Sequence, residues 1–122
     1  MLHIGNSIKE VNTLGNINTN SIFTELIQAA GMGCEKYASD IIYDINAINQ
    51  AIEANEEKVF YLGIRTMGVD GTTFMRSRLN NGACSDYYLK IYRISISIDG
   101  EYMTVICERI SIYDAEKALK ED

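Results

Sequence analysis

The sequence predicts an α+β domain: an antiparallel β-sheet of hairpins with two N-terminal helices packed on it. Three observations carry that expectation. Apolar residues recur at three- and four-residue spacing as far as Ala54, then switch to alternation from Val59, the change from a helical to a strand period. Asp70-Gly71, Asn80-Asn81-Gly82 and Asp99-Gly100 punctuate the alternating half with residues that tolerate positive φ in hairpin turns. The chain has 122 residues, 47% of them hydrophobic, enough for one core without disulfide staples, so residues 1–122 are expected to form a single domain.

Taken in order, Ile4, Ile8, Val11, Leu14 and Ile17 lie among Asn, Thr and Gly, which predicts a short strand near 7–11 and a turn at Gly15-Asn16. Ser21 is placed to cap a helix, SIFTELIQAAG, ending at Gly31. Ser39 is placed to cap the most regular element, 40–54, in which Ile41, Ile45, Ile48 and Ile52 form the apolar stripe. Asp40 and Asp44 fall in its first turns, where carboxylates complement the helix dipole, and they read as solvent-facing. Four strands are expected at 59–65, 72–79, 87–98 and 101–112, and DAEKALKED closes the chain as a short acidic helix capped by Asp114.

Charge divides along the same line. Residues 1–57 carry two lysines against eight carboxylates, whereas 58–109 carry seven cations against five carboxylates and hold all five arginines. A formal net charge of −6 disfavours binding to a nucleic-acid duplex, which rests on phosphate neutralisation. It leaves room for a small anionic ligand in a local pocket, because Arg presents a planar fork matched to phosphate and carboxylate. Three widely spaced cysteines, Cys34, Cys84 and Cys107, predict reduced thiols in a cytoplasm. No apolar run of membrane-spanning length occurs and MLHIGNSIKE lacks the basic and apolar regions of a secretion leader, so neither a membrane nor export is expected.

Hairpin registers point to specific cations. A two-residue turn at Asp70-Gly71 would set Met67 opposite Phe74 and Arg65 opposite Arg76, with Arg78 on the same face and Leu62 on the other, core side. A two-residue turn at Asp99-Gly100 would set Tyr92 opposite Cys107 and Lys90 opposite Arg109, and would leave Arg93 and Glu108 one diagonal step apart. Opposed like charges are mildly destabilising, so an anion between them is one reading and simple solvation of an exposed face is the other. The expected ligand-binding set is Arg65, Met67, Phe74, Arg76, Lys90 and Arg109, with Phe74 either packing on a neighbouring subunit or stacking on a planar base to which Arg adds a cation–π contribution.

Catalytic chemistry has little to stand on. His3 is the single histidine, and no Cys-x-x-Cys spacing, phosphate loop, GxSxG or dinucleotide fingerprint occurs. Cys107 reads as a small core residue. The expectation is therefore a protein that is not an enzyme, with no catalytic residue, no metal and no cofactor. Tyr87, Tyr88 and Tyr92 cluster enough to favour an interface between subunits.

The helix SDIIYDINAINQAIEAN and the following FYLGIRTMGVDG together resemble the first-described family of phage proteins that counter the Thoeris defence system by acting as signal sponges. That resemblance spans about residues 20–110. It implies a non-enzymatic homo-oligomer built from dimers, working in the host bacterial cytoplasm. Such a protein binds and sequesters glycocyclic ADP-ribose, the signal of TIR-domain immune proteins, and some members also hold cyclic oligonucleotides at separate sites. A dianionic pyrophosphate joined to adenine calls for the Arg, Phe and Met residues named above. The alternative is an acidic inhibitor that mimics nucleic acid and binds a host protein through Asp40, Asp44 and Glu53.

Overall fold

The computed structural model describes residues 2–4, 7–30, 38–65, 72–74 and 88–120. It is an α+β arrangement with strands β1 (Leu2–Ile4), β2 (Ser7–Thr13), β3 (Lys58–Arg65), β4 (Thr72–Phe74), β5 (Tyr88–Asp99) and β6 (Tyr102–Ile110), and helices α1 (Asn20–Ala30), α2 (Ala38–Glu53) and α3 (Ile112–Lys120). The strands form one antiparallel sheet in the order β1-β2-β6-β5-β3-β4. The four longer strands occupy the middle, and a three-residue strand closes each edge, an economical way to blunt an edge.

Alternation decides which face is buried. Ile8, Phe60, Leu62, Tyr92, Ile94, Ile96, Met103, Val105 and Cys107 share one face and are buried. Ile22 and Leu26 of α1 and Ile48 and Ala51 of α2 belong to the same buried cluster. On the reverse face Val11, Val59 and Tyr102 are exposed. There α3 lies against β5, where Ile91 and Ala115 are fully buried.

Local chemistry sets the element ends, and several differ from expectation. The first helix begins earlier than a Ser21 cap implies: the Thr19 carbonyl accepts from the Phe23 N–H at 3.0 Å, and the Asn18 side chain accepts from the Asn20 N–H at 3.1 Å. The last helix likewise starts at Ile112, because the Ser111 hydroxyl accepts from the Asp114 N–H at 3.0 Å, making Ser111 the cap and Asp114 the acidic residue of the first turn. Asn55 closes α2 with φ +53°. The Asn55 N–H bonds the Ile52 carbonyl (3.1 Å) and the Glu56 N–H bonds the Ala51 carbonyl (3.0 Å), the paired bonds of a Schellman ending. Gly15, at φ +84°, turns the chain out of β2, and the Asn16 N–H bonds back to the Thr13 carbonyl (3.0 Å).

The β5–β6 turn uses Gly100-Glu101 rather than Asp99-Gly100, since Asp99 pairs with Tyr102. Gly100 is in the first central position with φ +63°, the placement in which a type II′ turn needs glycine. This moves every partner on β6 by two residues and so preserves the faces.

A candidate anion site

The corrected registers redistribute the expected pairs. Tyr92 faces Arg109 rather than Cys107, and Ile94 faces Cys107. Lys90 faces Ile64 across β3 and stands diagonal to Arg109 on the same face. Arg93 and Glu108 are directly opposite one another instead of one step apart. The Arg93 Nε donates to Glu108 Oε1 at 2.7 Å and its terminal nitrogen donates to the same oxygen. That hydrogen bond leads the causes holding the Arg93 pKa above its ordinary value, with Tyr61 adding to it. Arg93 is thus neutralised locally, as its sequence context indicates.

The β3–β4 pairing departs further. Phe74 lies opposite Leu62, not Met67, and Thr72 lies opposite Ile64. The expected turn at Asp70-Gly71 lies outside the described residues, and the described register differs from the one it implies. The difference is an odd number of positions, which exchanges faces. Phe74 therefore holds a register position on the Leu62 side. Leu62 is fully buried, and fixing a buried face outweighs a short turn signal. Arg65 ends β3 beside Tyr88, after a register shift between Ile64 and Arg65. Met67, Arg76 and Arg78 lie outside the described residues.

Three groups therefore meet where the buried face of the sheet reaches solvent: half-buried Lys90, buried Tyr92 and exposed Arg109. Neither Lys90 nor Arg109 forms an ion pair with a described carboxylate. Glu25 of α1 is a described carboxylate whose field reaches this end. Burial raises the Tyr92 pKa above 10.0, Glu25 raises it further, and Arg109 opposes both. Burial, then Glu25 and Glu108, push the Cys107 thiol up to about 12, so at neutral pH it is protonated and a poor nucleophile.

The arrangement places an ammonium, a guanidinium and a phenol hydroxyl on one face of the sheet. These are hydrogen-bond donors suited to phosphate oxygens. Among the described residues no group of three or more His, Cys, Asp or Glu side chains is placed to hold a metal ion, and no described helix is long and apolar enough to cross a membrane. Sequence reasoning missed Glu25 and gave Tyr92 to an interface. Glu25 immediately precedes Leu26 in a helix whose stripe is Ile22-Leu26, and that adjacency to the apolar stripe was the available signal. No family model, curated protein or solved structure matches the chain.

Proposed function

We propose that this protein binds and sequesters a small dianionic, nucleotide-like immune signal without cleaving it, in the manner of the Thoeris anti-defence sponges that its sequence resembles. The carrying observation is the contrast between cations on one sheet. Arg93 is neutralised by Glu108, while Lys90 and Arg109 flank a buried phenol with no described carboxylate pair. Their mutual repulsion is relieved by an anion. In this reading Lys90 and Arg109 hold the pyrophosphate of glycocyclic ADP-ribose, Arg65 and Arg76 remain candidates for further charge, and Met67 and Phe74 remain candidates for the adenine end. The two N-terminal helices pack as a roof over the sheet, a two-fold dimer is the working unit, and the setting is the host bacterial cytoplasm during phage infection.

An acidic nucleic-acid mimic fits the chain less well. Asp44, one of the three carboxylates such a face needs, is buried rather than displayed.

The test is co-expression with an active TIR signalling enzyme, followed by purification and mass spectrometry of what the protein retains. The expected result is intact glycocyclic ADP-ribose, released on heating and depleted from solution by fresh protein. Recovery of a cleaved product, or of no nucleotide from a folded protein, overturns the proposal.

A further inference from the structure

A cavity of about 380 Å³ lies between the loop that follows β2 and the last turns of α2. Leu14, Ile17 and Ile52 supply its apolar wall, and Thr19, Asn49 and Glu53 supply its polar groups. Its size falls within the range of small-molecule pockets. It sits far from the cations, because the Leu14 N–H bonds the Glu101 carbonyl in the β5–β6 turn at 2.9 Å. Lys90 is near the opposite end of β5, about 30 Å away at the rise of an extended strand.

Two independent features specify the occupant. Thr19 is nine-tenths buried, with 7% of its surface exposed. Its carbonyl is used by the first turn of α1, and its hydroxyl has no hydrogen-bond partner among the described residues. A buried hydroxyl without a partner loses its hydration for nothing in return, so a polar group at this spot is favoured. The second feature is sign. Glu53 is the charged residue of the lining, with no lysine or arginine among the lining residues, and the cavity adjoins the C-terminal, partially negative end of α2. Carboxylate, helix end and amide together favour a cation and disfavour an anion.

We infer that this cavity is a second binding site, selective for a small organic cation: an ammonium group carried on a short aliphatic chain. The ammonium sits with Glu53 and the Thr19 hydroxyl, and the chain lies along Leu14, Ile17 and Ile52. The site does not depend on the anion proposal, and its ligand has the opposite charge.

Hexylammonium, 1-hexanol and hexanoate share a chain and differ in head group, so titration calorimetry and saturation-transfer NMR with all three decide the matter. Hexylammonium should bind about tenfold more tightly than hexanol, the effect of one charge-assisted hydrogen bond, and hexanoate should bind weakest. Glu53→Gln, at an exposed position, should abolish the preference for hexylammonium over hexanol. Thr19→Val should weaken both, and Arg109→Ala should leave both unchanged. Equal affinity for the three probes, no binding of any at about 10 mM, or a preference that survives Glu53→Gln overturns the inference.

Discussion

Arg109→Ala separates a binding arginine from a structural one, because it should act oppositely on the free and the liganded protein. Arg109 and Lys90 stand diagonally on adjacent strands, with Cβ atoms about 7–8 Å apart and charges about 10 Å apart. In water their repulsion is about 0.4 kcal/mol, so removing Arg109 should leave the free protein unchanged or stabilise it by up to that amount. With ligand bound, the substitution removes a charge-assisted contact of about 1.5–3 kcal/mol, a loss of about 10–150-fold in affinity. Glycocyclic ADP-ribose at about 100 times its Kd should stabilise the native chain by about 2.7 kcal/mol, and a 30-fold weaker Kd leaves about 0.9 kcal/mol. At about 4 °C per kcal/mol for a domain of this size, the ligand-induced rise in Tm falls from about 11 °C to about 4 °C. Melting with and without ligand reads both numbers. A free variant destabilised by more than about 1 kcal/mol, or an unchanged ligand shift, would refute the reasoning.

Three further outcomes test the fold beneath the site. Asn55→Gly should hold or raise stability while Asn55→Ala lowers it by about 1 kcal/mol, since Asn55 has φ +53° and only glycine occupies that region without cost; chemical denaturation measures both. Met103→Ala, at a fully buried position, should cost about 2–5 kcal/mol by the same assay. Cys107 keeps its proton to about pH 12 when folded, against 9.0 for an unperturbed thiol. The unfolded chain therefore binds fewer protons across that interval, and stability falls as pH rises from 9.0 towards 12, by about 1.4 kcal/mol per pH unit; a denaturation series in Cys107→Ala should lose this component.

Legibility in the sequence followed the strength of the physical signal. The change of period at residues 54–59 located the helices and the central strands, because burial of alternate residues such as Ile94, Ile96 and Val105 leaves no other solution. Turns were legible as turns but not as registers. Asp99-Gly100 marked the right place, yet glycine's conformational freedom drew it into the first central position. That two-residue shift left Lys90 and Arg109 on a common face. The register expected from Asp70-Gly71 differs from the described one by an odd number of positions, which exchanges the faces of β4. β1 was not anticipated: three residues, LHI, carry no periodicity, and their pairing is supplied by β2. Asp44 looked solvent-facing by its place in the first turns of a helix. Its burial depends on what packs there, which spacing within one helix does not reveal.

The overall charge of −6 does not decide whether an anion binds at Lys90 and Arg109, because at physiological ionic strength exposed charges beyond about 8 Å are largely screened. Local carboxylates matter more, and among them is Glu25, whose field reaches Tyr92 and Cys107. Glu25 is half-buried, and a carboxylate about 10 Å from a dianion opposes it with about 0.8 kcal/mol in water. Glu25→Gln should therefore tighten anion binding about fourfold at low salt and less as salt is added. It should also lower the Cys107 pKa, so that alkylation of the native thiol begins at a lower alkaline pH. Calorimetry across a salt series measures the first effect and the pH dependence of alkylation measures the second. If the thiol shifts as expected while anion binding weakens instead, Glu25 accepts a hydrogen bond from a ligand hydroxyl, and the site must be redrawn with α1 as one of its walls.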